Sequence, residues 1–192
     1  GPLGVDLQIG ATERDDDRVA EIVPPPPLPM DLSQVPADSP MVRTFTGPVA
    51  SAAAANTIPW RRAELGALNA HTNARALART FSVISRGGAV DDVRLLSPET
   101  IEQIFREQSR GVDLVLGVPL RFGIGFALPE PQTVPYIPDG RVCFWGGWGG
   151  SMTVMFPERS LTVSYVMNKM APGIIGSDRA ARYLTEVLDA VG

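Results

Sequence analysis

The sequence predicts an α+β fold in which helices pack on an antiparallel sheet, and three observations support that expectation. Residues 141–145, 151–156 and 161–167 are strand-length runs rich in Val, Phe, Met, Thr and Tyr, separated by turn residues. The break at 157–160 is short enough for a hairpin, so the last two runs should be antiparallel neighbours. Apolar residues recurring at spacings of three and four mark helices over 69–85 and 179–191. The third observation is the break between the first two strands, Trp145-Gly146-Gly147-Trp148-Gly149-Gly150, in which two indoles alternate with two glycine pairs. Glycine in a strand pattern marks a bulge or a close approach to the backbone, which makes this break the candidate binding site.

Taken in order, residues 1–4, GPLG, have two readings: native sequence continuing into VDLQIG, or the remnant of a cleaved expression tag. The mixed-charge run ERDDDR at 13–18 reads as a solvated loop or helix end. Residues 23–48 hold prolines at 24–27, 29, 36, 40 and 48. Their missing N–H groups and fixed φ argue against helix or central strand, so this stretch is expected to be a long surface loop, either a flap over a pocket or a plain connection. An alanine-rich turn of helix over 51–56 should stop at Pro59.

The helix over 69–85 presents Ala70, Ala74, Leu77, Ala78, Phe81 and Ile84 on one face and ends at Gly87 and Gly88. Asn69, Thr72 or Asn73 caps it, and His71 beside them either faces solvent or lines the mouth of a pocket. Ser97, Pro98 and Glu99 start a helix over 99–108 whose Ile101, Ile104 and Phe105 stripe faces the core. Residues 120–128 read as one further strand, with Gly123 and Gly125 leaving room for close packing. Ser177 or Asp178 caps the last helix, and its Ala180, Tyr183, Leu184, Val187 and Leu188 should lie on the sheet.

With 192 residues the chain is long enough for one domain with a core of its own. A net charge of -4 and scattered arginines argue against a nucleic-acid partner. Cys143 is the single cysteine, set between Val142 and Phe144 in a strand, which suits a buried inert thiol and a cytoplasmic rather than a secreted setting. Thiol catalysis would have to draw on His71, the only histidine, and one Cys with one His falls short of an ordinary zinc site, so neither metal nor cofactor is expected. No apolar run approaches the length of a membrane-spanning helix.

The residues FWGGWGGS followed by MTVMFPERSLTVSYVMNKM resemble the carboxy-terminal strand motif of serine esterases related to class C β-lactamases and penicillin-binding proteins, the family VIII esterases. In that superfamily a strand beside the nucleophile carries K-T-G, replaced in esterase branches by H-x-G or W-G-G, and Trp145, Gly146 and Gly147 match it. The resemblance implies that the backbone N–H of Trp148 is one of two oxyanion-hole donors, a contribution of about 3 kcal/mol. Residues 73–88, NARALARTFSVISRGG, are similar to the helix that follows the family's first catalytic half, and Pro2, Leu3, Gly4, Asp6, Ile9 and Gly10 match its PLG-x-D-x-x-IG.

The family's other motifs are not in this chain. Its S-x-x-K nucleophile needs a serine three residues before a lysine, and the only lysine, Lys169, has Val166 there. Its Y-x-N is missing as well, since Tyr136, Tyr165 and Tyr183 are followed two residues on by Pro138, Met167 and Thr185. The resemblance therefore implies the second half of a β-lactamase/transpeptidase-like domain, residues 1–192, lacking an amino-terminal half through deliberate truncation or proteolysis. The intact protein is expected to be a carboxylesterase or lipase acting on a small ester through an acyl-enzyme, with Trp145, Gly146, Gly147, Trp148 and His71 toward the substrate. Two alternatives remain open: a non-catalytic binding or oligomerisation module, and a penicillin-binding or D,D-peptidase-like protein. An unpaired sheet edge leads us to expect a homo-oligomer.

Overall fold

The computed structural model describes residues 1–26, 32–47 and 51–192. Strand β1, Leu7–Ile9, precedes a 3-10 turn at Glu13–Arg18, which Thr12 opens by donating from its N–H and hydroxyl to the Asp15 carboxylate. Helix α1, Pro40–Phe45, corrects the expectation of loop throughout 23–48. Pro40 stands at the first helical position, where its missing N–H costs nothing, and the Ser39 hydroxyl accepts from the Val42 N–H. Parts of the proline-rich stretch, at 27–31 and 48, lie outside the described residues.

A 3-10 turn at Ala52–Asn56 leads into α2, Ile58–Arg62. Strand β2, Ala70–Thr72, pairs antiparallel with β1, so the helix expected from residue 69 begins later, as α3, Ala74–Ser85. Of the three candidate caps, Asn73 does the work, accepting from the Ala76 N–H. Asn69 is instead buried, donating to the Trp60 and Ala63 carbonyls and accepting from the Leu65 N–H.

After the small hairpin of β3, Ala89–Val90, and β4, Val93–Arg94, helix α4 covers Pro98–Ile104, shorter than expected because the chain turns into an unanticipated strand, β5, Ser109–Val112. Strand β6, Pro119–Phe122, pairs with β5. The single strand expected over 120–128 is broken. At Gly123 the chain reverses, with the Gly123 N–H donating to the Phe126 carbonyl at 2.9 Å and Gly125 at φ 75. A Cβ on Gly123 would lie 1.9 Å from the Ile104 carbonyl oxygen, so close backbone packing forces glycine there.

The returning chain brings Ala127 against Phe144, the two exchanging N–H to carbonyl bonds of 2.9 and 3.0 Å. Beyond it lie β7, Cys143–Gly146, β8, Met152–Phe156, and β9, Leu161–Tyr165, antiparallel in the order β7-β8-β9. Strand β8 is buried along its whole length, and its alternation assigns its two faces. Met152, Val154 and Phe156 join Phe144 and the Ala180 and Leu184 of helix α5, Asp178–Val191, in one core cluster. Met155 and Cys143 point the other way, to Ile84 of α3 and Ile101 and Ile104 of α4. The expected antiparallel sheet with α5 on one face is the architecture found, and the middle helices, α3 and α4, lie on the other face. Among the described residues, no helix is long and apolar enough to cross a membrane.

Candidate active site

The two-tryptophan break forms a tight loop at the carboxyl end of β7. The Gly147 N–H donates to the Ser151 carbonyl at 3.0 Å, and the Gly150 N–H donates to the Gly147 carbonyl at 3.0 Å. Because a peptide unit is planar and trans, fixing the Gly147 carbonyl also fixes the Trp148 N–H, which points the opposite way. Among the described residues, that N–H has no acceptor.

The glycines around it differ in what requires them. A Cβ on Gly146 would come within 2.9 Å of the Ser151 carbonyl oxygen; one on Gly149 would lie 2.8 Å from Met167 Cε and Met170 Cγ; and one on Gly150 would lie 2.5 Å from Ser177. Gly149 and Gly150 also take φ of 98 and 104, where glycine is favoured. A Cβ on Gly147 would meet nothing within 4 Å. The bare backbone at Gly147 is therefore open, and it directly precedes the Trp148 N–H, which has no acceptor among the described residues.

Trp145 is 40% and Trp148 37% exposed, high for indoles in a domain this size. The Phe122 ring leans on Trp145, with centroids 5.4 Å apart at 53°, and Ile124 on the neighbouring reversal is exposed. Phe122 was not singled out in the sequence, since only the Gly123 reversal sets Ala127 between Phe122 and Phe144, and no local signal announces those bridges. The rings packed at the end of β7 are thus apolar and uncharged.

Behind the loop, the Gly149 N–H donates to the Gly173 carbonyl at 3.1 Å and the Ala171 N–H to the Gly149 carbonyl at 2.8 Å. Among the described residues, the Tyr136 hydroxyl is buried without a hydrogen-bond partner, and burial, reinforced by the charge of Asp178, pushes its pKa above the usual phenol range. It abuts Gly176, where a Cβ would stand 2.1 Å from its oxygen. His71 sits elsewhere, on β2 opposite Gln8, edge-on to Trp60 with centroids 6.2 Å apart, and its Nδ1 is buried without a partner among the described residues. No described hydrogen bond or ring contact joins it to Trp145 or Trp148. Cys143 is fully buried, and desolvation pushes its thiol up to about 12.

Four serine hydroxyls around the sheet have structural partners. Ser151 accepts from the Met167 N–H, Ser164 pairs with Thr153, Ser85 with Thr162, and Ser177 caps α5.

Comparison with known proteins identifies the family. A family model described as Beta-lactamase matches residues 2–186. The chain is 32% identical over 190 residues to the esterase/beta-lactamase LipL of Mycobacterium tuberculosis (strain ATCC 25618 / H37Rv), an alignment covering 93% of this chain and 43% of LipL. The crystal structure of a family VIII carboxylesterase matches at 30% identity with a TM-score of 0.83, covering 99% of this chain and 48% of that one. A penicillin-binding protein homologue from Caulobacter crescentus matches at 34% identity with a TM-score of 0.78, covering 98% and 49%. The chain thus spans about half the length of these relatives. The sheet, the helices on its two faces and the family match over nearly the whole chain agree: this chain belongs to the beta-lactamase family.

Proposed function

We propose that this chain is the carboxy-terminal part of a serine carboxylesterase, contributing one oxyanion donor and an aromatic wall to an acyl-enzyme mechanism. The observation that carries the reading is the Trp148 N–H, without an acceptor among the described residues and beside the one glycine of its loop whose missing Cβ would meet open space. A backbone donor held in advance toward developing negative charge stabilises a tetrahedral oxyanion by about 3 kcal/mol without reorganising during the reaction. The attacking serine and its base come from outside this chain, because S-x-x-K and Y-x-N are not in its sequence.

Trp145 stands where the superfamily's motif has lysine. An indole there cannot hold a substrate carboxylate, and together with Trp148 and Phe122 it offers an apolar wall, which favours neutral esters over anionic β-lactams. The same substitution argues against a D,D-peptidase. The LipL name, which joins esterase to beta-lactamase, defines the competing substrates for the test. When this chain is combined with the amino-terminal half of its protein, p-nitrophenyl butyrate should be hydrolysed with a kcat/KM at least about tenfold above that for nitrocefin. A preference for nitrocefin would overturn the reading. The chain alone should turn over neither.

A second reading, a module that binds a partner or a second copy, has its own support. The outer edge of β9 has no strand beside it among the described residues, and an apolar groove of about 260 Å³ opens next to it between α5 and the sheet, lined by Val163, Tyr165, Tyr183 and Val187. We propose that the missing half covers this edge in the intact protein and that a second copy covers it in the isolated chain. The single buried thiol is our argument for a reducing, cytoplasmic compartment.

A further inference from the structure

We infer that Asn56 is a positioning residue for the Trp148 N–H, acting through a ladder of hydrogen bonds that crosses four segments of the chain; this rests on the oxyanion reading above. The amide of Asn56 grips one residue from both sides. Its Oδ1 accepts from the Ile22 N–H at 2.8 Å and its Nδ2 donates to the Ile22 carbonyl at 2.8 Å. That grip presents the next residue, Val23, as a one-residue parallel strand. The Val23 N–H donates to the Asn168 carbonyl at 2.8 Å, and the Val23 carbonyl accepts from the Met170 N–H at 3.0 Å. Asn168 reinforces the rung, its Nδ2 donating to the Glu21 carbonyl at 3.1 Å.

The segment so held is the floor of the candidate site. Met170 is buried, and with Met167 it fills the space that a Cβ on Gly149 would need. The next N–H, on Ala171, donates to the Gly149 carbonyl at 2.8 Å. Gly149 and Gly150 close the turn whose Gly147 carbonyl sets the direction of the Trp148 N–H. The start of the proline-rich stretch is therefore not a passive connection. Asn56 holds Ile22, Val23 holds 168–170, and 168–171 hold Gly149.

An oxyanion donor is useful only if it is aimed before the charge develops, so loosening this floor should cost catalysis more than substrate binding. Asn56→Ala removes the grip at Ile22, and Asn168→Ala removes only the bond to the Glu21 carbonyl. Asp91→Ala, which breaks the surface pair with Arg79, is the control. In the chain itself, amide hydrogen exchange followed by NMR should quicken about tenfold at Gly149, Gly150 and Ala171 in both asparagine variants and stay unchanged there in the control. With the amino-terminal half supplied, Asn56→Ala should lower kcat about tenfold while KM stays within about twofold.

Unchanged exchange at Gly149, Gly150 and Ala171 in a folded Asn56→Ala overturns the ladder. If that variant does not fold, Asn168→Ala decides by the same amides. Coupled exchange with unchanged kcat leaves the ladder in place and overturns the positioning role through the oxyanion reading beneath it.

Discussion

Gly147 is a glycine that its own fold does not require, since its φ is ordinary and a side chain would meet nothing. In Gly147→Val the chain should keep its stability to within about 0.5 kcal/mol, as expected of a substitution that touches nothing. Combined with the amino-terminal half, the same variant should lose about 10² in kcat/KM, because a branched side chain next to the Trp148 N–H narrows the approach of substrate to that donor. Equal activity of variant and wild type would mean that no substrate atom comes there. The doubled tryptophan-glycine run made this residue readable in the sequence, but its special status was not, because Gly146, Gly149 and Gly150 look the same on paper and are needed for packing or for φ. Cys143 was the easier case, since its place between Val142 and Phe144 implied burial, and its full burial with a thiol pushed up to about 12 agrees. At pH 8 the thiol is therefore neutral and covered, so a disulfide reagent should label it only after denaturant is added. Fast stoichiometric labelling of the native chain would contradict this placement.

Elements were legible where a periodicity is local and lost where the deciding contact is distant. Strands β7, β8 and β9 and helices α3 and α5 announce themselves through alternation or three-four spacing. The reversal at Gly123 does not. What breaks the expected strand is the Ile104 carbonyl from another element, pressed against a backbone that the 120–128 pattern reads as continuous. The pairing of β1 with β2 was invisible for the same reason, and it shortened α3 at its start. Helix α1 was missed because proline was weighed as a breaker without regard to position; at Pro40 it begins a helix behind the Ser39 cap. These contacts rank the glycines of the reversal. Gly123→Ala forces a side chain into a carbonyl 1.9 Å away and should cost about 3 kcal/mol or more, whereas Gly125→Ala meets open space and pays mainly for φ 75, about 1–2 kcal/mol. Urea denaturation of the two variants checks the order, and a Gly125 variant less stable than the Gly123 variant would mean that the reversal is not held by α4.

At the scale of the whole molecule, half a family domain must manage a sheet that, among the described residues, ends in a bare strand. Strand β9, Leu-Thr-Val-Ser-Tyr, carries no charge, no proline and no bulge, which are the usual protections of an exposed edge. It is also self-complementary. A two-fold axis through Val163 would set Leu161 opposite Tyr165 of a second copy and Thr162 opposite Ser164, so apolar meets aromatic on the α5 face and hydroxyl meets hydroxyl on the α3 face. The stacked Tyr165 and Tyr183, with centroids 5.4 Å apart, border the apolar groove beside this edge and would extend the contact onto α5, where Tyr183 is largely exposed. Burial at about 25 cal/mol per Å² favours closure, and a net charge of -4 on each copy opposes it only weakly at physiological salt. The isolated chain should therefore form a dimer whose weight-average mass falls toward 20.5 kDa on dilution. Val163→Lys places two like charges at the axis and should yield the monomer at every concentration, while Val112→Lys, on the far edge strand β5, should leave the dimer intact. Light scattering across a tenfold dilution series reads all three proteins. A wild-type mass constant at 20.5 kDa would show that the bare edge is no docking surface for a second copy, and dissociation by the β5 variant instead would move the interface to the opposite end of the sheet.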